Sequence, residues 1–159
     1  AEAERLSDIS VVDRIRAFNP ECIGLSVTTV AFRSSVRLAA SLRKALKVPI
    51  VAGGPHVTAN PEDAVSTPDF DFGIAGEGEL AFSELLENME EPAKFARIKG
   101  LIYKKVDGGI AVNERHEPVS DLDELPDPDR DALPDIRLYR PPIGCYREEF
   151  VVSLITSRG

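Results

Sequence analysis

The chain has 159 residues, 43% of them apolar and 29% charged, and its 27 acidic against 19 basic side chains leave a net charge of −8. That length suits one domain able to bury about 70% of its unfolded surface, so disorder throughout is excluded. The acidic balance, with no basic cluster, argues against a nucleic-acid partner.

No run nears the roughly 18 apolar residues of a membrane span, and Ala1-Glu2-Ala3-Glu4-Arg5 lacks the basic and apolar regions of a signal peptide, so neither a membrane nor a secretory role is expected. Cys22 and Cys145 have no second Cys or His at metal-ligand spacing, which reads as reduced thiols in a cytoplasmic protein. Cys22, inside an apolar run, is expected to be an inert core residue. Cys145 is expected to fall in an irregular, exposed segment.

Taken in chain order, helical and strand patterns alternate. Ser7 suits the cap of a helix with Val11, Ile15 and Phe18 on its apolar face, and Asn19-Pro20 stops it. The run Cys22–Val27 is apolar on both faces and too short for a helix, which predicts a buried parallel strand. A second helix follows with Leu38, Leu42 and Leu46, then a strand at Ile50-Val51-Ala52 that breaks at Gly53-Gly54-Pro55-His56. Asn60-Pro61-Glu62-Asp63 opens another helix, with Asn60 at the cap, Pro61 in the first turn and acids on the dipole. A third strand fits Phe72–Ala75. Gly76-Glu77-Gly78-Glu79 then leads into a helix carrying Phe82, Leu85, Leu86 and Met89 on one face. Leu101-Ile102-Tyr103 and Ile110-Ala111-Val112 flank Asp107-Gly108-Gly109, a hairpin signal.

Repeated strand-helix alternation predicts an α/β fold with a parallel sheet, because each crossover needs a helix to return the chain. Beyond it, residues 114–135 hold nine acids and two bases, and half of the chain's 12 prolines lie after residue 113. Such a segment buries little and loses backbone donors, so it reads as an extended acidic linker rather than a recognition site.

In parallel sheets ligands bind beyond the carboxyl ends of the strands. Three loops belong there: Ser26–Thr29, Gly53–His56 and Gly76–Glu79. They offer hydroxyls, small residues and bare backbone. Glu77 and Glu79 at a helix start would repel a phosphate, so a large, nearly neutral ligand rich in amides fits better than a nucleotide. Each residue also has a plainer reading. Ser26 and Thr28 could cap the next helix, Gly53 and Gly54 could form a turn, and Glu77 and Glu79 could serve only the helix dipole. His56 reads first as a loop residue bonded to backbone, with no second metal ligand beside it.

The residues also resemble a known family. Ser26-x-Thr28 followed by Gly53-Gly54 is similar to the S-x-[LT] and G-G elements of Rossmann-like cobalamin-binding domains. With Pro55-His56 and Gly76-Glu77-Gly78-Glu79 added, the series looks like the amino-terminal domain of cobalamin-dependent radical S-adenosylmethionine enzymes, the methyltransferases and the anaerobic magnesium-protoporphyrin ester cyclase among them. The resemblance implies a partial Rossmann-like (flavodoxin-like) sheet flanked by helices, with a C-terminal β-hairpin. It implies cobalamin held by Ser26, Thr28, Thr29, Gly53, Gly54, Pro55, His56, Gly76, Glu77 and Gly78, with no catalytic or metal residue in this chain.

By the same resemblance, residues 1–113 form the cobalamin domain without its first strand, helix and second strand. Residues 114–149 would then be the linker, and 150–159 the first strand of a downstream radical barrel. There, Thr156–Gly159 would lead into a cysteine triplet holding a [4Fe-4S] cluster that cleaves S-adenosylmethionine. The chain by itself is expected to be inactive. A missing first strand leaves Ile23–Val27 as an open sheet edge, which predicts self-association. Two other readings stand beside this one: a flavodoxin-like protein-interaction or sensory module, and the nucleotide-sugar-binding half of a glycosyltransferase. The first would need Asp at the strand ends to act as a receiver; the second, a basic or metal-binding group near the diphosphate.

Overall fold

The computed structural model describes residues 7–119 continuously, and beyond them residues 121, 123, 125–127, 129, 131, 132 and 135. Cys145 and the strand expected over 150–159 lie outside the described residues, as does much of the acidic linker. The chain divides into two compact units, residues 8–117 and residues 1–7 with 118–159. In the second, the described acids fold back on their own backbone: Asp121 Oδ1 accepts from Asp123 N at 3.0 Å, and Asp129 Oδ1 from Asp131 N at 3.1 Å.

The regular elements of the described residues lie in the first unit. In order these are α1 (Asp8–Phe18), β1 (Ile23–Ser26), a 3-10 turn (Thr29–Ala31), α2 (Phe32–Ala45), β2 (Ile50–Gly53), α3 (Pro55–Ala59), α4 (Pro61–Ser66) and β3 (Phe72–Ile74). Then come α5 (Gly78–Asn88), a second 3-10 turn (Pro92–Arg97), β4 (Leu101–Lys104) and β5 (Ile110–Val112). The sheet runs β1-β2-β3-β4-β5. Its first three strands are parallel, and the hairpin β4–β5 adds to β3 in antiparallel sense. This is the α/β, Rossmann-like arrangement expected, with the hairpin continuing the same sheet.

Alternation along the strands splits the core in two. Ile23, Ile50, Ala52 and Ile102 pack with Ala39 and Leu42 of α2 and Ala64 and Val65 of α4. On the other face Val51, Ile74 and Leu101 meet Ala81 and Leu85 of α5, with Phe95 and Ile98 beside them. The sheet is thus sandwiched between helices, the layering that lets parallel strands bury both faces.

Local chemistry explains most boundaries. Asn19 takes a positive φ of 54° at the end of α1, and its N–H returns to Ile15 O at 3.1 Å, with Pro20 blocking continuation. Several expectations need correction. Phe18, expected on the apolar face of α1, is 82% exposed. Cys22 is half-buried and lies just before β1, which is an edge strand with Gly24 and Ser26 exposed. The face of β1 that carries those two small residues offers little to pack, so the strand is covered on one side only. The Gly53–His56 segment does not stay a loop: Pro55 and His56 begin α3, with Pro55 in the first turn, where its missing N–H costs nothing. Asn60 stands at the start of α4 without a side-chain capping bond. On α5 the buried positions are Ala81 and Leu85, while Leu86 is exposed.

Candidate functional site

The three strand ends form one rim. Ser26 of β1 stands opposite Gly53 of β2 in the parallel register, and Ala52 opposite Gly73 of β3. The loops that leave these strands are bonded to one another. Val27 N donates to Gly53 O at 2.7 Å, and His56 N donates to Val27 O at 3.0 Å, joining the first loop to the second. Gly76 N donates to Thr58 Oγ1 at 2.9 Å, joining the third loop to α3. All ten sequence-predicted site residues lie in these segments.

The glycines divide by what lies across from them. A Cβ on Gly53 would meet only Ile74 O at 4.0 Å, and one on Gly78 would meet nothing within 4 Å. Their backbone is open to a ligand. Gly54 differs: φ is +95°, and a Cβ would fall 2.9 Å from Ser26 Oγ and Val27 N and 3.0 Å from Val27 O. Its missing side chain lets the start of α3 press against the end of β1. Gly76, at φ +90°, is exposed and has the Arg115 side chain as its nearest neighbour, Cδ being 3.6 Å from a Cβ position.

His56 is 4% exposed. Its ring lies 4.2 Å from that of Phe32, and Nδ1 is 3.3 Å from Thr29 Oγ1, while buried Nε2 has no hydrogen-bond partner among the described residues. The His56 ring thus bonds a hydroxyl rather than backbone, and its main-chain N–H bonds Val27 O. Ser26, Thr28 and Thr29 are exposed, as is Pro55. Glu77 occupies the position before α5 and Glu79 its first turn, where the helix dipole favours acids.

Two rim residues were not legible in the sequence. Thr58 bridges α3 and the third loop, and Arg115 Nη2 donates to Thr58 O at 2.6 Å. The sequence puts Arg115 at the start of the acidic linker, and the antiparallel return of β5 carries it to the rim. At the opposite end of the sheet lies a groove of about 480 Å³ lined by Arg43, Lys47, Asp71, Phe72 and Lys104. Arg43 is ion-paired there with Asp71, whose Oδ2 also accepts from Ile50 N at 2.8 Å, so these charges fasten α2 to the strand starts. Among the described residues no group of three or more His, Cys, Asp or Glu is placed to hold a metal, and no helix is long and apolar enough to cross a membrane.

Comparison with known proteins bears on what such a rim holds. The family model for the B12 binding domain matches residues 3–86. An uncharacterized methyltransferase of Pyrococcus horikoshii is 36% identical over 137 residues, which are 84% of this chain and 29% of the relative. The 2-(S-pantetheinyl)-carbapenam-3-carboxylate methyltransferase of Streptantibioticus cattleyicolor is 34% identical over 86 residues, 52% of this chain and 13% of that protein. The chain therefore spans less than a third of either relative.

Two solved structures share the fold. One is the radical S-adenosylmethionine methyltransferase TsrM of Kitasatospora setae, with cobalamin and a [4Fe-4S] cluster bound; its TM-score is 0.57 at 23% identity, over 69% of this chain and 21% of that one. The other is the cobalamin-dependent S-adenosylmethionine radical enzyme OxsB, with a TM-score of 0.54 at 14% identity, over 71% of this chain and 16% of that one.

Proposed function

Because the chain belongs to the B12-binding domain family, we propose that its rim holds cobalamin and that it serves a longer cobalamin-dependent radical S-adenosylmethionine enzyme performing methyl transfer. One observation carries the assignment: Ser26 and Gly53 share a register position, their loops are cross-bonded, and Gly53 keeps its backbone open. A corrinoid presents a broad rim of amides, which needs close backbone approach and dispersed hydrogen bonds rather than concentrated charge. Ser26, Thr28 and Thr29 supply those bonds. Gly53 and Gly78 supply the approach, and Gly76 turns the third loop beneath Arg115. Gly54 and Pro55 set the direction of α3, and the buried His56 ring bonds the Thr29 hydroxyl. Glu77 lies at the third loop's edge.

Bound cobalamin supplies a cobalt able to carry a methyl group or an electron. The cluster and S-adenosylmethionine belong, in this reading, to a downstream barrel beginning near residue 150, reached through a linker over 114–149. A cytoplasmic setting goes with it.

Titration with hydroxocobalamin, followed by its absorbance, tests the assignment. The chain is expected to shift the spectrum saturably, and Gly53→Leu to weaken binding by at least tenfold while the fold persists. No saturable shift with the parent chain overturns it.

A further inference from the structure

The family match ends at residue 86, yet the rim does not. After β5 the chain forms a strap along the strand ends. Asn113 Nδ2 donates to Phe95 O at 2.6 Å and to Ile98 O at 2.7 Å, Asn113 N donates to Leu101 O at 3.0 Å, and Gly100 N donates to Glu114 O at 2.7 Å. Since β4 runs antiparallel to β3, with Leu101 opposite Ile74, these bonds fix the strap at the carboxyl ends of the parallel strands. Arg115 comes next. Its stem lies over Gly76, and Nη2 bonds Thr58 O at 2.6 Å, while the same Thr58 receives Gly76 N on its hydroxyl. Arg115 is thereby held between α3 and the third loop, on a side chain that remains exposed.

A guanidinium carries five N–H donors in a rigid fork, and the bond to Thr58 O uses one. The loops of the rim carry hydroxyls and bare backbone. From this placement we infer that Arg115 is a ligand-contacting residue of the rim, donating to an oxygen acceptor on the bound corrinoid. Two oxygens share that chemistry, an amide carbonyl of the macrocycle and the phosphodiester of its nucleotide tail. The inference rests on the cobalamin reading and extends the site beyond the matched family region.

The test compares the parent chain with Arg115→Met, which keeps an apolar stem over Gly76 and removes every donor. Hydroxocobalamin and cobinamide, which lacks the phosphodiester, are titrated by absorbance, and exchange of the Gly76 amide is followed by NMR. Arg115→Met is expected to weaken hydroxocobalamin about tenfold with the Gly76 amide still protected. An equal loss with cobinamide assigns the acceptor to an amide carbonyl; a loss confined to hydroxocobalamin assigns it to the phosphodiester. Unchanged affinity for both corrinoids overturns the inference and leaves the cobalamin reading standing. A loss accompanied by deprotection of Gly76 also overturns it, because Arg115 would then act only as a staple. A parent chain that binds neither corrinoid removes both readings together.

Discussion

Adjacent glycines at the end of β2 have opposite duties. A methyl group on Gly54 would be driven into Ser26 Oγ and the backbone of Val27 at 2.9–3.0 Å, from a φ of +95° that side chains disfavour. Gly54→Ala is therefore expected to cost about 3 kcal/mol, measured as a lowered urea midpoint. Gly53→Ala meets only Ile74 O at 4.0 Å and should leave the midpoint within about 0.5 kcal/mol of the parent while still weakening hydroxocobalamin. The Gly-Gly pair was legible in the sequence. Which glycine packs and which stays open was not, because that depends on the residues of β1 lying across from them.

Cys22 allows a second test at this scale. Burial pushes its thiol above the ordinary value; the backbone N–H of Ile23 opposes this, and the negative charge of Asp71 adds to it. The folded thiol therefore keeps its proton to higher pH than the unfolded one. Its stabilising contribution is full below the unfolded value and fades as pH rises through the folded one. In a Cys145→Ser background at pH 8, Cys22 is expected to react with a disulfide reagent several-fold more slowly in the folded chain than in urea. Equal rates would contradict the burial effect.

Polar contacts hold elements in register, and Asp71 joins α2 to the start of β2. Its Oδ2 accepts from Ile50 N at the start of β2 and from Arg43 near the end of α2, while Arg43 also donates to Val48 O at 3.2 Å and Asp69 O at 3.3 Å. Asp71→Ala leaves the Ile50 N–H and the guanidinium without that carboxylate. A loss of about 2 kcal/mol in urea unfolding is expected, with corrinoid affinity nearly unchanged because the contact sits at the far end of the sheet. The order of strands and long helices could be read from periodicity, since Leu42 and Ala39 of α2 and Leu85 of α5 repeat at helical spacing. By contrast, α3 has five residues and begins with Pro55, too short for any period to show and opened by what looks like a turn. The strap at Asn113–Arg115 was hidden for another reason. Its position comes from hairpin geometry, whereas its local composition merges with the acids and prolines that follow.

At the largest scale, the consequential feature is the side of β1 on which no strand pairs among the described residues. Ile23 N bonds Pro49 O and Val27 N bonds Gly53 O, so alternation turns the N–H and C=O groups of Gly24 and Ser26 away from the sheet. An edge with outward backbone groups and no charged side chain on it is a template for another strand. Exposed apolar residues lie on either side of it in sequence, Phe18 at 82% and Val30 at 96%. Two copies meeting antiparallel along this edge would join their sheets and bring such residues together, so self-association rising with concentration is expected in light scattering. Gly24→Lys tests the edge directly. A Cβ there meets nothing within 4 Å, so the substitution leaves β1 in place while adding to the edge the kind of charge that natural edge strands use against pairing. The variant should scatter as a monomer where the parent chain does not. A parent chain that stays monomeric at high concentration would show instead that the edge of β1 does not recruit a second copy.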